Sequence, residues 1–289
     1  MKLIIPILLF FVCNNLSAQE YEEKIAELSC TYIQDIDIKE DIDKEMKKCI
    51  LQAKFEVEQK HPELKPKVSI EELREKYKIV FALLTKNCST LTTKRSEHKK
   101  YLTYVPSANK EATFNLVKGD KLMTENKYSS AISAYRKAIR LDEKFVIAID
   151  KLGIAYIKND EHKKAIKTFK SSLKIFPEGD VALLHIGEVY YDLEYNKDAS
   201  IYFSTLTTYF PQMPQGYYGL AKTEFRDEIN EAALLHSIMA LKFFPETSKS
   251  EIEKANSLID SIYANMDNKN NLESFNAIAK EHNFTYNTK

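Results

Sequence analysis

Beyond residue 19 the apolar residues of this chain recur at three- and four-residue intervals. Tyr21, Ile25, Leu28 and Tyr32 form one stripe, Ile42, Met46, Cys49, Ile50, Ala53 and Val57 a second, and Ile70, Leu73, Tyr77, Val80, Leu84 and Cys88 a third. Such spacing gathers apolar side chains on one face of a 3.6-residue helix. The stretch HPELKP (61–66) separates the second stripe from the third, and Ser69 with Glu72 forms a capping box at the start of the third. No Gly occurs between 20 and 105, since all six lie between 119 and 219. This rules out Gly-rich phosphate loops in the segment and favours continuous helices. Residues 19–105 are therefore predicted to form a cysteine-containing three-helix domain, with a linker over 106–111.

Ahead of these stripes, MKLIIPILLFFVCNNLSAQ carries one Lys, an apolar run from Leu3 to Val12 and a small-residue ending at Ser17-Ala18. This is the layout of a secretory leader spanning 1–18, cleaved after Ala18. The run is too short to span a bilayer, and no later stretch approaches the roughly 20 apolar residues of a membrane helix. Val12 before Cys13 departs from the small residue expected before a lipidated cysteine. The expectation is an exported protein, periplasmic or secreted, from a gram-negative bacterium.

A longer period governs the centre of the chain. Gly119, Gly153 and Gly187 lie 34 residues apart. On the same frame stand Leu122, Tyr156 and Tyr190, then Ala131, Ala165 and Ala199, then Tyr135, Phe169 and Phe203. Phe-Pro recurs at 176–177, 210–211 and 244–245, while the first unit has Glu143 in place of Pro. A fourth unit keeps the frame with Ala221 for Gly, followed by Ala233, Ala240 and Pro245, and Ser237 where the others carry an aromatic. Self-similarity at this period is the mark of a repeat architecture. The 34-residue frame fades in 248–289, whose two helical runs are predicted to cap the last unit.

Lys plus Arg equals Asp plus Glu at 42 each, so the formal net charge is zero. There is no basic field for nucleic acid and no net attraction to an anionic membrane. The local basic run TKRSEHKKY (93–101) reads as a solvated helix end and is assigned no function. In an exported protein the three cysteines left after cleavage, Cys30, Cys49 and Cys88, allow one internal disulfide and leave one thiol over. No Cys-x-x-Cys pair or His at ligand spacing supports a metal site. For helices running up, down and up at about 1.5 Å per residue, Cys30 and Cys88 lie at similar heights and Cys49 roughly 5 Å lower. Cys30 with Cys88 is the favoured pairing and Cys30 with Cys49 the alternative.

The six histidines are scattered, and no nucleophile motif, phosphate loop or Gly-containing calcium loop occurs. The reading is a non-enzymatic protein without a cofactor.

The repeated residues resemble the tetratricopeptide repeat, most fully in VIAIDKLGIAYIKNDEHKKAIKTFKSSLKIFP with Leu152-Gly153, Tyr156, Ala165, Phe169, Ser172 and Pro177. The departures are Asn115 where the pattern favours Trp, Lys118 where it favours Leu, and Ser237. The resemblance implies an all-α superhelix over 112–245, in units 112–145, 146–179, 180–213 and 214–247. It also implies a concave groove into which the fifth, ninth and twelfth residues of each unit point. These are Leu116, Asp120 and Met123; Asp150, Ile154 and Ile157; Leu184, Glu188 and Tyr191; and Tyr218, Lys222 and Phe225. Such a lining suits an amphipathic helix or extended peptide with some positive charge. Leu116 and Asp120 stand where the clamp for chaperone C-terminal carboxylates has Lys and Asn, so that clamp is not expected. The function implied is an exported adaptor for a peptide or protein partner; the alternative is a structural subunit of a cell-envelope or surface assembly. Oligomeric state is left open.

Overall fold

The computed structural model describes residues 5–64 and 70–286, except for the side chains of 5–18, 70, 71, 73 and 74. Of the leader expected over 1–18, residues 1–4 fall outside what is described, as does Ser69 of the expected cap. Among the described residues there are fourteen α-helices and no strand, in two compact units, Met1–Tyr101 and Leu102–Lys289. The fold is the all-α repeat architecture that the 34-residue frame predicts.

The first unit is built on α1 (Ile5–Ile33), α2 (Ile42–Lys60), a 3-10 turn (Pro62–Leu64), α3 (Ile70–Asn87) and α4 (Ser89–Thr103), the last running two residues past the unit's end. Its core brings the predicted stripes together, Tyr21 and Ile25 against Ile42, Met46, Ile50 and Ala53, closed by Val80 and Leu84, and adds Ile33, while Leu28 and Tyr32 are only partly buried against it. Asp41 caps α2 by accepting the Lys44 N–H. Cys30 and Cys88 form a disulfide with Cα atoms 5.7 Å apart, and Cys49 is free and buried. Burial raises the pKa of the Cys49 thiol, which keeps it protonated and unreactive.

The sequence reading misses α4. Its residues are not a solvated helix end, because three of them close the α1–α2 turn. Lys94 Nζ donates to the Ile36 carbonyl at 2.7 Å, His98 Nδ1 lies 2.6 Å from the Ile38 carbonyl, and Arg95 pairs with Asp43 at 2.7 Å while covering the Phe81 ring. Polar residues with partners distant in sequence carry no periodic signal, so the stripe analysis passes over them.

The second unit is a run of five hairpins: α5 (Lys110–Thr124) with α6 (Tyr128–Leu141), α7 (Val146–Lys158) with α8 (His162–Ile175), α9 (Asp180–Asp192) with α10 (Asn196–Tyr209), α11 (Pro214–Arg226) with α12 (Asn230–Phe243), and α13 (Lys249–Asn268) with α14 (Leu272–Glu281). The second helices of the first four hairpins begin 34 residues apart, at 128, 162, 196 and 230. Between the two helices of each hairpin one residue takes a left-handed conformation: Asn126, Asp160, Glu194, Glu228 and Asn270, with φ of 57°, 59°, 64°, 60° and 55°. Around it the N–H of the next residue bonds back five positions, as in Lys127 to Leu122 at 2.9 Å and Glu161 to Tyr156 at 2.8 Å. This closes off helix carbonyls that would otherwise be unpaired.

Each glycine of the frame sits under an aromatic ring of the second helix. A Cβ on Gly119 would stand 2.3 Å from Tyr135, one on Gly153 2.5 Å from Phe169, and one on Gly187 2.7 Å from Phe203. In the fourth hairpin Ala221 replaces Gly and, 16 residues on, Ser237 replaces the aromatic; both are buried. The two departures compensate: the side chain gained on α11 is matched by the ring lost on α12. Phe176, Phe210 and Phe244 end α8, α10 and α12 and are buried, Phe210 against Leu183 and Leu206 and Phe244 against Tyr218. Each Phe-Pro therefore stops a helix and places its ring at a junction. Ile259, Ile262, Met266 and Phe275 of α13 and α14 cover Leu234 and Ile238 of α12, capping the stack.

Candidate partner-binding groove

The positions expected to line the groove lie on the first helices of the hairpins. Positions four and three residues apart on a helix share a face, so Asp150, Ile154 and Ile157 of α7 form one stripe and Asp180, Leu184, Glu188 and Tyr191 of α9 the next. Tyr218, Lys222 and Phe225 continue it on α11.

The part of this face richest in half-exposed functional groups lies between α9 and α11. Lys222 Nζ lies 4.4 Å from the Tyr191 ring centre and 5.3 Å from that of Tyr218. The Arg226 guanidinium stacks 3.6 Å from the Tyr191 ring centre and donates to the Tyr191 carbonyl at 2.6 Å. Desolvation lowers the Lys222 pKa, with Glu188 and Asp192 opposing from a distance. Among the described residues no carboxylate pairs with the ammonium directly, so two π faces carry part of its stabilisation. Desolvation also raises the Tyr218 pKa, and its ring meets Phe244 edge-on with centroids 6.5 Å apart. Glu188 is held by His185, whose Nδ1 lies 2.7 Å from Oε2. The result is a surface of two tyrosines, two cations and an acid, with aromatic area for packing and polar groups for orientation.

The remaining predicted positions are placed as follows. Asp120 is half-exposed, accepts from the Tyr135 hydroxyl at 2.7 Å and pairs with Lys151 at 2.8 Å. Met123, Ile154 and Ile157 are half-buried against the core of the first hairpins, Leu184 against that of the third, and Phe225 against the C-terminal cap. Two positions need correction. Leu116 is buried in the core, where it packs rather than projects. Asp150 is only 3% exposed, because Tyr104, from the segment preceding the first repeat, lies over it and donates its hydroxyl to Oδ2. Burial lifts the Asp150 pKa to about 6; the neighbouring Asp180 carboxylate pushes the same way, while Ser172, Tyr104 and His185 oppose. The Tyr104 pKa is itself raised, first by burial and then by Asp150.

Sequence reasoning missed Tyr104, Asp180, His185 and Arg226. Asp180 and Arg226 lie at helix ends, outside the three positions taken from each unit, and Asp180 could have been found by extending the α9 stripe one turn back. Tyr104 stands outside the 34-residue frame, and nothing in its local pattern points to a contact 46 residues away.

Among the described residues no group of three or more His, Cys, Asp or Glu is arranged to hold a metal ion, and no helix is long and apolar enough to cross a membrane.

A family model described as tetratricopeptide repeat matches residues 112–145 and 148–178. Among solved structures, MamA from residue 41 to its end, of Desulfovibrio magneticus RS-1, is 18% identical and aligns over 60% of this chain and 96% of that one with a TM-score of 0.51. A second MamA crystal structure is 18% identical over 60% of this chain and 92% of that one, with a TM-score of 0.50. The APC/C hetero-tetramer Cut9–Hcn1 is 17% identical over 80% of this chain and 42% of that one, also with a TM-score of 0.50. At these identities the likeness is one of fold. No curated protein matches the sequence.

Proposed function

Because the chain is a tetratricopeptide-repeat protein, we propose that it is a non-enzymatic adaptor whose concave repeat face binds a peptide or protein partner, and that it does so after export, in the periplasm or as a secreted protein. The observation that carries this reading is the cluster of Tyr191, Tyr218, Lys222 and Arg226. Two half-exposed tyrosines share the Lys222 ammonium across α9 and α11, with Arg226 over the Tyr191 ring, and tyrosine and arginine are residue types that dominate binding energy at interfaces. The cations over Tyr191 also refine the expected ligand. At α9 and α11 the groove offers positive charge, which suits a partner residue that is acidic or has an exposed carbonyl, while Asp120 and Glu188 suit positive charge elsewhere along the segment. The apolar leader pattern supports export.

The alternative, a structural subunit of an envelope or surface assembly, draws support from Phe114 and Val117. Both are exposed on the side of α5 away from α6, where a further helix would stack.

Replacing Tyr191 and Tyr218 together by Ala tests the adaptor reading. Capture of a partner from an envelope extract falls at least about 100-fold, as expected for two central aromatic anchors of about 2 kcal/mol each, while helical circular dichroism is retained. Unchanged capture by the double variant would refute the groove assignment.

A further inference from the structure

Residues 104–109 (Tyr-Val-Pro-Ser-Ala-Asn) run without helix between α4 and α5 and lie along the second unit as a strap. The Ser107 hydroxyl donates to Asp142 at 2.6 Å, Asn109 Nδ2 lies 3.5 Å from the Leu141 carbonyl, and the Thr113 hydroxyl donates back to the Ser107 carbonyl at 3.2 Å. Tyr104 is the strap's anchor. Its hydroxyl donates to Asp150, and its ring meets Phe176 edge-on with centroids 5.9 Å apart. Asp150 and Asp180 stand on the inner stripes of α7 and α9, four residues before Ile154 and Leu184. The phenol therefore enters the groove where the second and third units meet.

The pocket is more polar than packing requires. The positions equivalent to Asp150 in the other units are Leu116, Leu184 and Tyr218. A buried carboxylate costs stability unless something occupies its hydrogen-bonding capacity. Here the phenol engages one oxygen of Asp150, and the fully buried Ser172 hydroxyl bears on the same carboxylate and helps to hold its pKa down. A second carboxylate, Asp180, is close enough to raise the first. The site is thus shaped for a ring and has acceptors for a hydroxyl at its base, features that suit recognition better than they suit a core.

We propose that Asp150, Ser172, Phe176 and the start of α9 at Asp180 form a tyrosine-reading subsite of the groove, filled in cis by Tyr104 and open to the tyrosine of an extended partner segment when the strap lifts. This rests on the adaptor reading and adds a residue preference to it. Beyond the Tyr104 anchor the strap is held by a hydrogen bond from half-exposed Ser107 and a long one from exposed Asn109, and Val105 and Pro106 are exposed. A tethered occupant acts at an effective concentration in the millimolar range, so it weakens a ligand supplied in trans without abolishing its binding. A site that hydrogen-bonds a hydroxyl discriminates strongly against the analogue lacking it.

The test titrates a fluorescent octapeptide of residues 102–109, Leu-Thr-Tyr-Val-Pro-Ser-Ala-Asn, into the full chain and into Tyr104→Ala, with anisotropy as readout. The variant binds the octapeptide about ten-fold or more tighter than the parent, and an octapeptide with Phe for its Tyr binds the variant about ten-fold more weakly. Equal binding to parent and variant, or no preference for Tyr over Phe, would overturn the proposal. If Tyr104→Ala loses helical circular dichroism, Tyr104→Phe replaces it, since it keeps the ring and gives up only the hydroxyl. Tighter octapeptide binding than to the parent is then the supporting result and unchanged binding the refuting one. Octapeptide affinity is read on the Tyr104→Ala protein and partner capture on the separate Tyr191→Ala, Tyr218→Ala protein, so failure of this subsite is read separately from failure of the α9–α11 cluster.

Discussion

Gly153 and Phe169 show how one residue sets the spacing of two helices. The ring lies 2.5 Å from where a Cβ would stand, and Phe169 is fully buried with nowhere to retreat. Gly153→Ala gains helix propensity of up to about 1 kcal/mol, but overpacking of this kind costs about 1 to 3 kcal/mol. The net expectation is a loss of about 1 to 2 kcal/mol in the unfolding free energy of the repeats, measured by urea denaturation followed by circular dichroism. Gly153→Ala combined with Phe169→Ser, the pairing that Ala221 and Ser237 already make, relieves the clash in that hairpin. The positions of these residues were legible in the sequence because they keep a fixed period. Their coupling was not: Ala221 and Ser237 read there as separate departures, and the close approach of Gly to ring in the other three hairpins is what accounts for both changing together.

At the scale of elements, helices with an apolar face announce themselves and segments with polar long-range partners do not. The stripes of α2 and α3 and the hairpins from α5 to α12 follow from spacing alone. Helix α4 and the 104–109 strap are held instead by Lys94, Arg95, His98, Tyr104 and Ser107, each bonded to a residue far along the chain. For the same reason the groove was only partly legible: the twelve positions follow from the family resemblance laid on the frame, but the strap's cover over Asp150 does not. The strap makes the packing of α7 and α9 depend on pH. The folded-state pKa of Asp150, about 6, lies above its ordinary value of 3.8. Between these values the folded chain holds a proton that the unfolded chain releases, so stability falls as pH rises through the window and is level above it. Asp150→Asn keeps an acceptor for Tyr104 and removes the charge. At pH 7.5 it is more stable than the parent by up to about 3 kcal/mol, from roughly two pKa units at 1.36 kcal/mol each, and the difference vanishes below pH 4. Urea midpoints of both proteins at the two pH values check this, and a difference that does not change with pH would show that Asp150 does not titrate as described.

Over the whole molecule, two units meet different demands. The first closes its helices around a core stapled by Cys30–Cys88, a 58-residue separation for which loop entropy gives about 4 kcal/mol. The height argument from helical rise ranks that pair ahead of Cys30 with Cys49, and these are the sulfurs the structure joins. The second repeats one hairpin until α13 and α14 cover its last apolar face. Zero net charge leaves recognition to local chemistry on the surface. The central claim is that partners bind the inner face, and site-specific photo-crosslinking tests it most directly. A photoreactive residue is placed at Tyr191, on the inner stripe of α9, and separately at Ile201, on α10 and 61% exposed. The account predicts that the captured partner crosslinks from position 191 and not from position 201. Crosslinking from 201 alone, or equally from both, would contradict it.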